Sequence, residues 1–135
     1  MMLTALDQAI EKAFKSEGKK EDVSQVYLTF LRTTLFVPVK KSHIPTAEEP
    51  FLPLVARVHD NLFMLVFDEV EKIKNWAGEK LEEMNYVEMT GDDLLDGINQ
   101  GVYLSLNVGA PFHKEFPPEE IDQLKMLLFK VRQLK

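Results

Sequence analysis

The sequence predicts an α+β domain, in which a mixed β-sheet of about five strands is covered by an N-terminal helical hairpin, crossover helices and a C-terminal helix. Three observations predict this class. Apolar residues recur at helical spacing at both ends of the chain. Between those ends, short apolar or alternating runs are typical of strands. Residues 86–109 indicate a strand, a short helix and a strand, which usually form a parallel pair with a right-handed crossover.

The N-terminal part of the chain predicts two amphipathic helices. Apolar residues form one stripe from Leu3 to Phe14 and a second stripe from Val23 to Leu31. Gly18 is expected to end the first helix, and Asp22 is expected to cap the second, because Gln25 follows it at capping-box spacing. We therefore expect a helical hairpin that covers one face of a sheet.

The next run, residues 35–39, predicts the first strand. Pro38 has no N–H to donate, so this strand is expected to lie at a sheet edge or to end at the proline. Residues 40–50 are polar and contain two prolines, which is typical of a loop.

A β-hairpin is predicted on either side of the turn-forming cluster at residues 59–61. Its strands are residues 52–58 and 62–67. The second strand is apolar without alternation, as expected of a strand that is covered on both faces. Asp68 follows it directly and is expected to cap the next helix.

The strand–helix–strand unit at residues 86–109 is marked by its helix signals. Thr90 and Asp93 have the spacing of a capping pair, and the aspartates lie at the positive end of the helix dipole. Gly101 is expected to end the helix in the left-handed conformation. A second strand, residues 102–106, then leads to a turn that ends at Gly109.

The C-terminal helix is predicted to begin at the two prolines at 117–118, which precede two glutamates, and to end near Gln133. Met126 and Phe129 do not belong to its apolar stripe, because at about 100° per residue they project to the opposite side. Exposed apolar neighbours often mark a contact surface, so both residues are a candidate interface. The competing interpretation is a packed groove under the loop at residues 40–50.

Composition excludes several classes of function. A chain of 135 residues predicts one domain, residues 1–135, and its net charge of −6 with a pI near 5.1 argues against a nucleic-acid partner. The absence of cysteine excludes disulfides, thiolate catalysis and zinc–thiolate sites. No apolar run approaches about 20 residues and the N-terminus has no signal-peptide pattern, so we expect a cytoplasmic protein without a membrane partner.

No catalytic or cofactor signature is recognisable. The three histidines, at 43, 59 and 113, are far apart in sequence and lack metal-ligand spacing. No glycine-rich loop follows a strand, and no serine has the setting of a nucleophile elbow. We therefore expect no cofactor, no metal and no enzymatic activity.

One candidate ligand site lies where a predicted interior strand ends, at residues 106–109. Ligands of open α/β sheets often bind at the carboxyl ends of strands. The candidate residues are Thr90, Asn107, Gly109 and His113. The alternative is that the segment at Asn107 is an ordinary turn.

Several short signatures in order resemble the SseB family, specifically the N-terminal domain of enhanced serine sensitivity proteins. They cover nearly the whole chain, and each is short by itself. The segments are Leu35-Phe36-Val37-Pro38, the turn at Asp60-Asn61, the run from Phe67 to Trp76, Met89-Thr90-Gly91-Asp92-Asp93, Leu106-Asn107-Val108-Gly109 and Pro118-Glu119-Glu120-Ile121. The chain departs from the family where Asp-Gly is common at the hairpin turn and where Asn-Pro-Gly is common at residues 107–109.

The resemblance implies a bacterial cytosolic α+β domain, and longer members of the family carry a second, C-terminal domain. It implies a link to serine sensitivity and supplies no catalytic residues. The first hypothesis is a non-enzymatic interaction or regulatory module with an unidentified protein partner, or a homodimer. The alternative is a small-ligand-binding or enzymatic domain that uses the strand end near Asn107.

Overall fold

The computed structural model describes residues 3–50 and 52–134, so both expected domain boundaries, 1 and 135, lie outside the described residues. The α+β class is confirmed. The helices are α1 (Ala5–Lys15), α2 (Lys20–Arg32), α3 (Val70–Ala77), α4 (Gly91–Gly97) and α5 (Pro118–Gln133), and a 3-10 segment at Gly78–Glu83 extends α3. The strands are β1 (Thr34–Lys40), β2 (Val55–Val58), β3 (Asn61–Val66), β4 (Met84–Thr90), β5 (Tyr103–Leu106) and β6 (Lys114–Phe116).

The six described strands form two sheets rather than one. β1 and β4 pair along their full length in antiparallel register, from Thr34 opposite Thr90 to Lys40 opposite Met84. The other sheet has the order β2-β3-β5-β6, and only its β3–β5 pair is parallel. The expected parallel pairing of β4 with β5 is wrong: β4 pairs with β1, and β5 pairs with β3 in the other sheet.

β1 is an edge strand of its two-stranded sheet, as Pro38 predicts, and it continues past the proline to Lys40. Isolated bridges connect its outer side to residues next to β2 and β3. On the side away from β4, Phe36 exchanges two backbone hydrogen bonds with Phe67, at 2.7 and 3.0 Å, and Pro38 O accepts from the N–H of Leu54 at 2.9 Å. Strand alternation directs the nitrogen of Pro38 to this sparsely bonded side. The ladder with β4 therefore loses no donor at Pro38.

The predicted hairpin is confirmed as β2 and β3. His59 and Asp60 at its turn both have positive φ, 49° and 68°, as the commonest two-residue hairpin turns require. The burial expected on both faces of β3 occurs only at its carboxyl end, where Leu65 and Val66 are buried. The earlier residues of the strand are partly exposed, because the neighbouring β2 is itself largely exposed.

The main core lies between the helical hairpin, α4, α5 and the inner faces of the strands. Its centre is an aromatic pair, Phe30 on α2 and Phe116 on β6, with ring centroids 5.2 Å apart. Each fully buried side chain of this size contributes about 2 kcal/mol to folding. A smaller cluster of Leu65, Phe67 and Ile73 packs under α3. The predicted amphipathic faces of α1, α2 and α5 are thus buried together.

None of three predicted side-chain caps forms, because Asp22 and Asp68 contact lysines and the hydroxyl of Thr90 bonds to Asp92. α2 begins at Lys20, and Asp22 lies inside it, where Oδ1 is 3.7 Å from Lys12 Nζ. Asp68 precedes the N-cap of α3 and is buried in a cluster described below. Thr90 is the N-cap of α4, but its hydroxyl donates to Asp92 and not to the helix backbone.

Gly101 does adopt the left-handed conformation, with φ of 80°, as predicted. It does so in the turn before β5, because α4 already ends at Gly97. The helix C-cap is Ile98, in extended conformation, so the glycine serves the turn and does not end the helix.

Candidate functional site

The carboxyl ends of β3 and β5 lie side by side, because these two strands are parallel. Asn107 follows β5 directly, and Asp68 follows β3 after one residue. The amide Oδ1 of Asn107 accepts a hydrogen bond from the N–H of Asp68 at 3.0 Å, and the N–H of Asn107 donates to Val66 O at 2.9 Å. Asn107 therefore connects the two strand ends.

Asn107 is fully buried and has a positive φ of 58°. Asparagine tolerates this left-handed conformation better than most residues do. Its carbonyl accepts from the N–H of Ala110 at 3.0 Å, which closes the turn. Among the described residues, Asn107 Nδ2 is the one buried side-chain nitrogen or oxygen atom without a hydrogen-bond partner. The side-chain oxygen, the backbone N–H and the backbone carbonyl of Asn107 thus all form hydrogen bonds with backbone groups.

Beside this turn, Lys72 on α3 bridges two buried carboxylates. Its Nζ lies 2.9 Å from both carboxylate oxygens of Asp7 and 2.6 Å from Oδ1 of Asp68. Thr4 Oγ1 donates to the other oxygen of Asp68 at 2.5 Å. Thr4 and Asp7 also form the capping box at the start of α1. We call these four residues, Thr4, Asp7, Asp68 and Lys72, the Lys72 cluster.

The two carboxylates of the Lys72 cluster stabilise the charged form of Lys72. Burial by itself lowers the pKa of Lys72, but hydrogen bonds to Asp68 and Asp7 outweigh it, so the pKa of Lys72 is raised. All four carboxylate oxygens accept hydrogen bonds within the cluster. The cluster therefore connects α1, α3 and the end of β3. Its carboxylate oxygens already accept hydrogen bonds from protein donors.

The other three predicted site residues do not meet Asn107 in one site. Thr90 lies on the β1–β4 sheet, opposite Thr34. His113 is exposed, and its Nδ1 lies 3.0 Å from the carbonyl oxygen of Ala110, whose N–H bonds to Asn107. Gly109 is exposed beside Trp76, with φ of 84°.

His113 instead borders a small cavity of about 310 Å³ between the helical hairpin and β6. At the rim of that cavity, Glu120 accepts a hydrogen bond from Tyr27 Oη at 2.9 Å, and Lys114 Nζ lies 2.7 Å from the same carboxylate oxygen. Burial, with the hydrogen bond to Glu120, raises the pKa of Tyr27 far above its ordinary value. This group links α2 to β6 and α5.

The candidate interface on α5 is exposed in the structure. Met126 is 62% exposed and Phe129 is 65% exposed, whereas Ile121, Leu124 and Leu128 on the opposite face are buried. The competing interpretation, a packed groove under the loop at residues 40–50, is excluded by this exposure.

A family model described as the SseB protein N-terminal domain matches residues 6–123. The chain belongs to the SseB family. The match spans most of the chain and confirms the resemblance read from the short signatures. No curated protein and no solved structure matches the chain.

The family match includes the Lys72 cluster from Asp7 onwards and includes Asn107. It ends before Met126 and Phe129, so the candidate interface of this SseB domain lies outside the matched residues. The family description names no substrate, partner or reaction.

Sequence reasoning missed the Lys72 cluster in this SseB domain. Two signals were available: Thr4 and Asp7 have capping-box spacing, and Asp68 and Lys72 are four residues apart, which places them on one side of a helical turn. Neither spacing indicates that the two pairs meet, because Asp7 and Lys72 are 65 residues apart in sequence.

In the described part of the chain, no three histidine, aspartate or glutamate side chains come together as a metal site. No helix there is both long enough and apolar enough to cross a lipid bilayer.

Proposed function

We propose that this SseB domain is a non-enzymatic protein-interaction or regulatory module, linked to serine sensitivity in the bacterial cytoplasm, and that it binds through the outer face of α5. The observation that supports the proposal is the exposure of Met126 and Phe129, at 62% and 65%. Methionine adapts to irregular surfaces and phenylalanine buries a large apolar area, so the pair suits a protein contact. A homodimer is one form that this contact takes.

α5 presents this face on a firmly held helix. Three of its residues are buried in the core: Ile121, Leu124 and Leu128. Near the C-terminal end of α5, the guanidinium of Arg132 forms two hydrogen bonds with the carboxylate of Asp96 on α4, at 3.1 and 2.9 Å. A partner that covers the outer face would therefore meet an ordered surface and would lose little entropy in ordering it.

The alternative, a ligand-binding or enzymatic site at the strand end, has weaker geometric support. Asn107 is sealed from solvent and holds the backbone. Thr90 and His113 lie elsewhere, so the four candidate residues do not converge on one cavity. The geometry favours the exposed helix face.

The test combines affinity capture of the tagged protein from its native lysate with size-exclusion chromatography and light scattering. We expect a stoichiometric protein partner, or a dimer of the domain, that is lost in the double variant Met126→Glu with Phe129→Glu. Two charges placed in an apolar contact cost several kcal/mol of binding free energy, because each is desolvated without a partner.

The matched control is Phe14→Glu with Val58→Glu, which makes the same chemical change at two other exposed apolar residues, 84% and 48% exposed. The control is expected to retain the partner. Retention of the partner by the α5 variant would contradict the interface. Growth of a deletion strain on excess serine tests the phenotype: the wild-type gene should restore growth, and the α5 double variant should not.

A further inference from the structure

One cleft of this acidic protein concentrates positive charge over an apolar floor. Its cavity has a volume of about 830 Å³ and lies between the end of β1, the segment before β2, and the α3 end with its 3-10 extension. Its lining includes three lysines and three apolar residues: Lys40, Lys41, Lys80, Leu54, Trp76 and Met84.

The charge of the cleft is not neutralised by its own side chains. Glu83 is the one acidic residue in its lining, and its carboxylate lies 3.6 Å from Lys80 Nζ, with both side chains exposed. Within residues 3–50 and 52–134, Lys40 and Lys41 take part in no ion pair. In a protein of net charge −6, two adjacent lysines without an ion-pair partner form a local positive patch that attracts an anionic ligand.

The floor of the cleft is shaped by Trp76. Its indole packs against Phe67, with ring centroids 5.5 Å apart, and only part of the indole is covered. Gly109 faces the edge of the indole: a Cβ on that glycine would lie 3.9 Å from Trp76 Cδ1. The floor therefore offers an anchored aromatic surface to an apolar group.

A second cavity, of about 850 Å³, adjoins the first and shares Lys40, Lys41 and Met84 with it. It adds Lys74 and Tyr86 to the surface. The two neighbouring lysines thus border both openings. An occupant that fills both openings would extend from Trp76 past the two lysines to Tyr86.

The exposed edge of β4 runs along the second cavity. The N–H of Lys41 bonds to Glu83 O, so backbone groups of odd-numbered residues in β4 are directed towards β1. The N–H and carbonyl of Tyr86 are directed outwards, and among the described strands β4 pairs only with β1. Such an edge accepts the backbone of an extended peptide.

We propose that this cleft binds an acidic, extended peptide segment of a partner protein. Carboxylates of the segment bind Lys40 and Lys41, and one large apolar side chain packs on Trp76. The site shares no residue with the α5 face, so this inference goes beyond the proposed function and either can fail alone. A small metabolite is a poorer occupant, because the cleft is open and its lysines are exposed, whereas metabolite pockets enclose the ligand around a few fixed polar groups.

The only tryptophan of the chain is Trp76, so its fluorescence reports directly on the cleft. The probe is a synthetic peptide of about nine residues, enough to span roughly 30 Å, with several glutamates around one phenylalanine and no tryptophan. We expect a saturable change in Trp76 emission, with an affinity that falls as salt rises. Lys40→Glu with Lys41→Glu should weaken binding at least about tenfold.

The matched control is Lys20→Glu with Lys130→Glu, the same charge change at two exposed lysines elsewhere, which should leave the affinity within about twofold. Lys80→Glu is a second variant that should weaken binding, and the emission of Trp76 in each free variant checks its fold. The proposal is overturned if emission is unchanged up to about 1 mM peptide. It is also overturned if both lysine pairs have equal effects, if a basic peptide binds as well, or if 3-phenylpropionate alone binds as tightly.

Discussion

Gly91, the first residue of α4, lies directly against the backbone of Phe30 in α2. A Cβ on Gly91 would stand 2.8 Å from the carbonyl carbon of Phe30 and would be nearer still to its oxygen. The N–H of Gly91 donates to Thr33 O at 3.1 Å. The β4–α4 junction therefore packs directly against the C-terminal turn of α2, and no side chain fits between the two backbones.

Gly91→Ala is expected to lower the free energy of unfolding by about 2 kcal/mol or more, because the added methyl group meets backbone that must move. The matched control is Gly97→Ala in the same helix, where a Cβ meets nothing within 4 Å. That change should be neutral or should stabilise the protein by about 0.5 kcal/mol. Urea denaturation of both variants checks the difference, and equal stabilities would contradict the close approach.

Lys72→Met should lower the free energy of unfolding by about 3 kcal/mol at pH 7, because it leaves the buried carboxylates of Asp7 and Asp68 without a cation. Lys74→Met on the same helix removes an exposed pair with Glu71 and should change the free energy of unfolding by less than about 0.5 kcal/mol. Urea unfolding of the two variants at pH 7 measures both values.

The stability difference between wild type and Lys72→Met should depend on pH. The pKa of Lys72 is raised in the folded protein, since the hydrogen bonds to Asp68 and Asp7 outweigh the opposing effect of burial. Its stabilising contribution is therefore complete below the ordinary lysine pKa of about 10.4 and is lost as the pH rises through the raised value. The difference between wild type and Lys72→Met should stay constant from pH 7 to about 10 and shrink above it. A difference that shrinks below pH 9 would contradict this assignment.

Asn107→Ala should lower the free energy of unfolding by about 2 to 3 kcal/mol, because the buried N–H of Asp68 loses its acceptor and alanine is strained at a φ of 58°. Asn107→Gly should recover about 1 kcal/mol of that loss, since glycine adopts the left-handed conformation freely. Asn75→Ala on the exposed side of α3 is the control and should be nearly neutral. Thermal unfolding ranks the three, and a neutral Asn107→Ala would return this residue to the candidates for ligand binding.

Phe129→Ala should leave the free energy of unfolding within about 0.5 kcal/mol of wild type, because the side chain is 65% exposed. Leu128→Ala, one residue away and 6% exposed, should cost about 2 to 3 kcal/mol through the cavity that it creates. Urea denaturation of both variants separates the two faces of α5. This comparison also shows that loss of a partner in an α5 variant is not a loss of folding.

Much of the secondary structure could be predicted, because helical and strand periodicity depends on neighbours in sequence. The hairpin at His59 and Asp60 and the two faces of α5 follow from local pattern alone. The caps predicted at Asp22 and Asp68 failed because each carboxylate contacts a lysine, Lys12 of α1 at Asp22 and Lys72, four residues along the chain, at Asp68. Local spacing does not distinguish these two outcomes.

The candidate site was also only partly predictable from the sequence. The position of Asn107 at a strand end followed from the sequence, but its role did not, since that depends on the parallel neighbour β3. The cleft at Trp76 was not predicted, because Lys40, Lys80 and Leu54 come from three separate segments.

The sequence by itself determined the SseB family, the α+β class and the apolar face of each long helix, because these depend on residue order and periodicity. The tertiary structure decided which strands pair, which carboxylates are buried around Lys72, and where the unpaired lysines meet Trp76. Such contacts join residues tens of positions apart, and their energies arise only after folding removes water from between them.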